Sequence, residues 1–371
     1  MSLTIERLLL EDFRNYRSFH LDGIGSTTIL VGPNAVGKTN VVEAVQLLTS
    51  QASFRNPTCD QLIRMGARAA RCEASARDAR RELSIRLSVS DGKKRWSLNG
   101  KSKRPSDLSG LVPSVAFTPD DLELAKGSQS VRRRAVDLAG SQLSKNHYLI
   151  RRDFEKVLRQ KNSLLKEGSD PVLLASLNEL FVTVGAQLTC YRAALVSRMA
   201  RWMSEFYRDI AASSEHLEVK FAPSWLADGS WLEEGQQLGR DDARSSLNAA
   251  LDARVRDEAL RRRCLVGPQA DRIGFFISGA PVETYGSQGQ QRSCVLSFKL
   301  AEVELVQSVL GQRPVLLLDD VMSELDESRR RSLMTFVSGE VQTFITTANL
   351  AYFDSGILAR SDVVELPLRS A

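Results

Sequence analysis

Two hydrophobic periods alternate along the chain, and the change between them divides it. From residue 4 to residue 118 the apolar positions come in short runs or alternate with polar ones. Residues 4–10 read as a strand, closed by the polar stretch 12–16. Ile29, Leu30 and Val31 form a short β-rich run, and Val41, Val42, Ala44 and Val45 follow in a segment of good helix formers. Residues 59–65 read as a short helix. Leu83, Ile85, Leu87 and Val89 alternate strictly, as a half-buried strand does. Asp91 and Gly92 then supply a two-residue hairpin turn, Arg95 to Leu98 return as the partner, and Asn99 and Gly100 turn again. Residues 111–117 form another strand, stopped by Pro119.

Beyond Pro119 the period becomes helical. Residues 127–143 and 146–165 have helical spacing, and Ser169, Asp170 and Pro171 make a helix start with an N-cap and a proline at the first position. From there one apolar face runs through Leu177, Phe181, Val184, Leu188, Tyr191, Leu195, Met199, Trp202, Phe206 and Ile210. Its intervals of three and four residues predict one helix of about forty residues, on the order of 60 Å long at 1.5 Å per residue. Its aromatics are core positions rather than a cofactor site. Residues 237–263 are helical and charge-rich. Leu265 to Pro268 break the pattern, residues 273–277 form a strand, and strand texture resumes as far as Tyr285. The expected organisation is therefore 1–118 and 264–371 as two halves of one lobe, with 119–263 as a helical insert.

Composition changes this picture little. With 43% hydrophobic and 26% charged residues the chain has ordinary globular usage. No stretch reads as a membrane span, and the charged N-terminus lacks a signal-peptide layout. Cys59, Cys72, Cys190, Cys264 and Cys294 are scattered without zinc or disulfide spacing, so a reduced, cytoplasmic setting is expected. His20, His147 and His216 are too far apart in sequence to argue a metal or nucleophile site. The net charge of +5 is modest, but it is clustered: Lys93, Lys94 and Arg95; residues 101–104; Arg132, Arg133 and Arg134; Arg151 and Arg152; Arg261, Arg262 and Arg263. Such clusters suit a binder of the nucleic-acid backbone, although each alone can be a solvated face.

Three segments carry chemistry. Gly32, Pro33, Asn34, Ala35, Val36, Gly37, Lys38 and Thr39 spell G-x-x-x-x-G-K-T between a strand and a helix, the setting of a P-loop. Backbone N–H groups there turn toward phosphate oxygens, Lys38 reaches the outer phosphates, and Thr39 offers its hydroxyl to Mg²⁺. Residues 313–320, RPVLLLDD, form an apolar strand ending in two carboxylates. Asp319 is placed to hold the magnesium ion and Asp320 to orient or deprotonate the attacking water. Residues 285–293, YGSQGQQRS, open a helix whose face is Leu296, Leu300, Val303 and Leu310. Ser287 and Gly289 at such a helix start form either an ordinary N-cap or a second anion-binding end.

These residues resemble a family. SQGQ has the form of the signature motif of ABC-type ATPases, and VMSELD (321–326) resembles the loop that follows their acidic strand. A P-loop near one end and that strand near the other, separated by helices, resembles the SMC and DNA-repair branch, and within it a family of recombination mediators. The resemblance rests also on LEDFRNY (10–16), on Ser53, Phe54 and Arg55, on VGPQ (266–269) and on QTFITT (342–347), and it covers the chain end to end.

The resemblance implies an α/β fold: an ABC-type P-loop ATPase head, a mixed sheet with flanking helices, carrying an inserted helical lobe. It implies ATP held by residues 32–39, with Asn40 beginning the helix and Arg14 and Asn15 close to the nucleotide. It implies that Ser287 and Gly289 close on the γ-phosphate bound by a second subunit, so that ATP joins a homodimer. Asp320 stands where many ABC enzymes have glutamate, which fits slow turnover. Gln51 and Gln61 both lie where a Q-loop glutamine is sought, and Thr346 or Thr347 replaces the switch histidine of transporters. The implied activity is a DNA-stimulated ATPase that clamps duplex or gapped DNA at single-strand/double-strand junctions. The implied partner proteins are RecO, RecR and RecA. The competing readings are a transport or signalling ATPase without a DNA role, and a structural adaptor with a vestigial site. Intact Lys38, Thr39 and Asp319 argue against the last.

Overall fold

The computed structural model describes residues 3–168, 171–211, 214–337 and 341–367. By its internal contacts the chain divides into two units, residues 1–121 with 302–371, and residues 122–301.

The first unit is built on two sheets. A six-stranded antiparallel sheet has the order Tyr16–Asp22, Thr4–Phe13, Ala69–Arg77, Glu82–Ser90, Lys93–Leu98, Lys101–Lys103. Ala69–Arg77 and Glu82–Ser90 alternate buried and part-exposed positions along their length, so one face is apolar and the other polar. Both hairpin turns expected from the sequence form: Asp91 and Gly92 have φ of 52° and 67°, and Asn99 and Gly100 have 49° and 76°. These left-handed pairs match the twist of the flanking strands, which Asn-Gly and Asp-Gly tolerate well. The second sheet is parallel, in the order Asp362–Glu365, Thr27–Val31, Thr343–Thr347, Val315–Asp319, Ser114–Phe117.

The helix Lys38–Thr49 packs in the core that both sheets share. Val41, Val42, Ala44, Val45, Leu47 and Leu48 are all buried there, against Leu10, Cys72 and Leu87 of one sheet and Leu30, Leu317 and Phe344 of the other. Because it is covered almost all round, this helix carries no one-sided apolar stripe. Each fully buried Val or Leu contributes roughly 1.5–3 kcal/mol to the site's frame.

The second unit contains the helices Gln129–Leu143, Lys145–Glu167, Pro171–Ala211 and Arg240–Arg261 with a three-stranded antiparallel sheet. The long helix predicted from the apolar stripe is one element of 41 residues; the expected cap residues Ser169 and Asp170 lie outside the described residues. By length and composition Val172–Ala211 could cross a membrane, which corrects the expectation that no stretch reads as a span. Its buried face is accounted for within the unit, where Phe181, Val182 and Leu188 pack with Phe154, Val157, Leu247 and Leu251.

The second boundary falls at 301/302 rather than at the expected 263/264. Residues 264–301 join the helical unit because Arg272–Ile277 pairs along its whole length with Leu217–Ala222. A buried ion network reinforces that assignment. Arg192 reaches Asp137 at 2.7 Å and Asp271 at 3.2 Å, and Thr189 Oγ1 donates to Asp271 at 3.0 Å. Strand texture also stops earlier than expected, at Ala280–Pro281, and Val282–Tyr285 is a turn of helix.

One expected basic cluster is part of this interior. Arg132 is 1% exposed, donates to the carbonyls of Leu124, Ala125 and Ile273, and lies over the Phe275 ring. Arg133 donates to the Asp271 carbonyl at 2.7 Å. Arg132 also pairs with Glu283 at 2.7 Å. The donors of the two arginines are taken up by backbone oxygens and this carboxylate, which a buried guanidinium with five donors can satisfy together.

Candidate functional site: a phosphate cradle facing two carboxylates

The site of the first unit lies at the C-terminal ends of its parallel strands, where open α/β sheets place their ligands. Thr27–Val31 delivers the chain into the loop 32–37, and Lys38–Thr49 leads out of it. Two glycines are sterically required there. A Cβ on Gly32 would stand 2.3 Å from the Leu366 carbonyl oxygen. Gly37 has φ 114°, and a Cβ on it would sit 2.7 Å from Asn15 Nδ2 and 2.8 Å from the Tyr16 hydroxyl. The 12-residue helix turns its N-terminal N–H groups toward the same loop.

Lys38 is 7% exposed, and its ammonium donates to the carbonyls of Gly32 at 2.6 Å and Pro33 at 2.9 Å. Burial pulls its pKa below the usual lysine value, while Asp320 and Asp319 act to raise it. On the far side of the cradle Asp319 is 5% exposed. Its Oδ1 accepts from Thr39 Oγ1 and from Thr346 Oγ1, both at 2.8 Å. Burial raises the Asp319 pKa, opposed by the two hydroxyl hydrogen bonds and by Arg55, with Asp320 adding to the rise. Such a carboxylate gains from any cation placed beside it.

Asp320 has φ 53°, and its N–H donates to Thr346 Oγ1 at 2.9 Å. Thr346 thus ties the two acids together from the neighbouring strand, where it stands in register with Asp319. The hydroxyl of Thr39 and the carboxylate of Asp319 are hard oxygen donors suited to Mg²⁺, which usually takes one or two protein groups and completes its shell with water and phosphate. Among the described residues no cluster of three His, Cys, Asp or Glu side chains could hold a metal without such help.

Asn15, Asn40 and Arg55 form a chain beside the loop. Arg55 Nη1 donates to Asn40 Oδ1 at 2.8 Å, Asn40 Nδ2 to Asn15 Oδ1 at 2.7 Å, and Asn15 Nδ2 to the Val36 carbonyl at 2.9 Å. Arg14 is turned to the buried carboxylate of Glu43, with bonds of 2.9 and 2.7 Å, and to the Gln61 carbonyl. Of the two glutamines, Gln61 completes a capping box with Thr58, and Gln51 donates to the Thr49 carbonyl at 2.6 Å.

Sequence reasoning did not assign Arg55, Glu43 or Thr346 a role at the acids. Arg55 and Thr346 lie in motifs that carry the resemblance, which was the available signal. Glu43 reads as an ordinary helix residue.

Ser287 and Gly289 belong to the second unit. Ser287 is exposed at the start of Gln288–Leu310, its Oγ accepts from Gln290 N–H at 3.2 Å, and its N–H donates to Gln290 Oε1 at 2.8 Å. Gln290 Nε2 is held in turn by Glu215 at 2.8 Å. The helix start is therefore a rigid, solvent-facing capping box.

Sheet order, cradle and paired acids define an ABC-type P-loop head. The family model described as the RecF/RecN/SMC N terminal domain matches residues 4–358. Curated relatives named DNA replication and repair protein RecF include that of Halalkalibacterium halodurans, 36% identical over 98% of this chain and 97% of the relative. That of Geobacillus kaustophilus is 37% identical over 93% of each. A solved structure of the recombination mediator RecF with ATP in the RecFOR pathway superposes with a TM-score of 0.83 at 29% identity, covering 95% of this chain and 94% of that one. The Smc head domain of Pyrococcus furiosus shares the fold, with a TM-score of 0.54 at 16% identity over 99% of this chain and 94% of its own. The chain belongs to the RecF family.

Proposed function

We propose that the protein is an ATP-dependent DNA-binding ATPase of recombinational repair, in which ATP joins two copies of the chain into a clamp on DNA. The observation that carries this reading is the Thr39–Asp319 pair beside the P-loop, with Asp320 next to it. In the reaction, the loop N–H groups and Lys38 bind and orient the triphosphate. Thr39 and Asp319 would hold Mg²⁺, which when bound would offset the phosphate charge. Asp320 orients the water that attacks the γ-phosphate and takes its proton. Ser287 and Gly289 present a helix N-terminus to the nucleotide of the second copy. Asn15 and Asn40 brace the loop from the side, and Arg14 supports it through Glu43. Asp320 has one methylene fewer than glutamate, which fits slow turnover.

The DNA surface we favour is the exposed edge of the antiparallel sheet. Lys93, Arg95, Lys101, Lys103 and Arg104 are exposed there, and Lys101–Lys103 is the outer strand. Contacts to the phosphate backbone make affinity fall with salt. Neutralising about six phosphates would give a slope of about −5 in log affinity against log salt. As in the RecFOR pathway named for the solved relative, the clamp would act with RecO and RecR to load RecA at single-strand gaps, in the cytoplasm. The testing experiment is sedimentation of the chain alone, with ATP, and with ATP and gapped duplex, alongside ATP turnover with and without that DNA. A dimer formed only with ATP and turnover raised by DNA are expected. A chain that stays monomeric with ATP, or a DNA affinity that ignores salt, would overturn the clamp. Turnover indifferent to DNA would favour the transport or signalling reading.

A further inference from the structure

Glu43 is a charged residue fully buried in the helix that follows the P-loop, and the reaction as described gives it no direct task. Its carboxylate ties together two segments that are separate in sequence from each other and from its own helix. Oε1 accepts from Arg14 Nη2 and from Ser53 Oγ, both at 2.7 Å, and Oε2 accepts from Arg14 Nε at 2.9 Å. Arg55 Nη1 stands 3.8 Å from Oε2. Arg14 comes from the tight turn between the first two strands; Ser53 and Arg55 come from the segment after the helix.

The two guanidinium groups are held differently. Arg14 makes a two-bond fork with Glu43 and a third bond to the Gln61 carbonyl, and its side chain is 17% exposed. A fork of this kind fixes direction as well as distance. Arg55 is 40% exposed; its bonded partner is Asn40, the residue after Thr39, and Glu43 lies just beyond hydrogen-bond reach. Its charge acts on Asp319 and favours the ionised carboxylate. One buried negative charge thus faces two positive ones. Arg14 neutralises it by geometry, and the surplus cation is left on the solvent side, beside the acid strand.

We infer that Glu43 is a positioning residue for ATP hydrolysis: it holds Arg55 at the edge of the P-loop, and Arg14 serves to lock Glu43 rather than to touch the nucleotide. The inference rests on the hydrolytic reading of the site and extends it to a residue one helical turn behind the cradle. Ser53 contributes by orienting the carboxylate and by accepting from the Arg55 N–H at 3.0 Å, which sets the backbone from which the side chain projects. Both carboxylate oxygens accept from Arg14, so an amide at position 43 would turn an NH₂ toward an Arg14 donor in either orientation and break the fork.

The test uses the full-length chain with Glu43→Gln, Arg55→Ala, the double variant and Glu43→Asp. Turnover is measured apart from ATP affinity, and the rate of trypsin cleavage after Arg55 reports whether that side chain is held. Glu43→Gln is expected to lower kcat at least tenfold with less than a threefold change in ATP affinity, and to speed cleavage after Arg55 at least fivefold relative to cleavage after Arg80. The double variant is expected to lose no more turnover than Arg55→Ala alone, and Glu43→Asp to restore part of it. A folded Glu43→Gln with unchanged turnover, losses that multiply in the double variant, or equal acceleration at Arg55 and Arg80 would each overturn the inference. A wild-type chain that binds ATP without hydrolysing it would overturn the hydrolytic reading instead, and the cleavage comparison would then decide the Glu43–Arg55 link alone.

Discussion

Thr39 and Asp319 are 280 positions apart in sequence, yet the hydroxyl of one donates to the carboxylate of the other across 2.8 Å. The strand Thr343–Thr347 makes this possible: it lies between the P-loop strand and the acid strand, and Thr346 accepts one N–H and donates one O–H to the acids. The two halves of the site are joined through a third segment that supplies hydroxyls.

Lys38→Ala removes the cation that we propose reaches the outer phosphates. A hydrogen bond to a charged group is worth roughly 1.5–3 kcal/mol, or about 10- to 100-fold in affinity. ATP affinity by equilibrium dialysis is expected to fall to the weak end of that range, and the ATP-dependent dimer to vanish with it in sedimentation runs. A Lys38→Ala chain that still dimerises with ATP would show that the nucleotide is not shared.

Asp320→Asn tests the base. At φ 53° an asparagine is as comfortable as an aspartate, so the fold should be untouched. Turnover should drop roughly 10²- to 10⁴-fold, the usual contribution of a positioned proton acceptor, while ATP binding persists and dimer accumulates. Unchanged phosphate release would remove Asp320 from that role.

Ser287→Arg addresses the exposed helix start. The cap to Gln290 is lost, at a local cost of about 0.5–2 kcal/mol, and a cation with a long side chain is placed where the proposed clamp brings the second copy. Monomer ATP affinity should stay within twofold of wild type while the dimer is blocked. Equal loss of both would mean that Ser287 supports its own subunit.

Glu73 supplies a pH dependence. Burial acts to raise its pKa, but hydrogen bonds from Arg86, Arg71 and Ser84 outweigh that and hold it down at about 2. A folded-state pKa below the unfolded value gives stability that is present above the ordinary carboxylate range and lost as pH falls toward about 2. Glu73→Gln should therefore flatten Tm against pH between the ordinary glutamate value and that lower limit. An unchanged profile would assign the acid sensitivity elsewhere.

The basic residues should separate into two kinds. Arg132→Ala breaks the ion pair with Glu283 and leaves three backbone carbonyls without their donor, and should lower stability by about 3–5 kcal/mol, the scale for breaking a buried ionic contact. Lys101→Glu with Lys103→Glu should leave Tm within a few degrees and weaken DNA binding with a shallower salt slope. The reverse pattern in melting curves and DNA titrations would exchange the two assignments.

How far the chain could be read beforehand depended on whether each feature was local. The hairpins at Asp91 and Asn99 were legible because two residues with left-handed backbone decide such a turn. The long helix was legible because its stripe keeps one period over ten apolar positions. P-loop and acid strand were legible as motifs, and their meeting at one magnesium site was expected from the two together. Strands such as Ala69–Arg77 and Leu217–Ala222 were not seen, because small or mixed residues make them pack only through their partners. The boundary at 301/302 depends on the pairing of Arg272–Ile277 with a strand about fifty residues earlier, and on Asp271 meeting Arg192. Neither leaves a trace in spacing. Arg132 read as surface charge because a buried arginine and a solvated one look alike until the carbonyls around it are in place.

The Leu366 carbonyl that forbids a side chain on Gly32 also times the birth of the site. Strand Asp362–Glu365 pairs with the P-loop strand, and Leu366 N–H donates to the Val31 carbonyl at 2.7 Å. A ribosome translating this protein finishes the cradle sequence within the first forty codons but must decode more than three hundred others before the segment that walls it exists. Chains that stop before Asp362 would carry the whole motif and still lack one wall of the pocket.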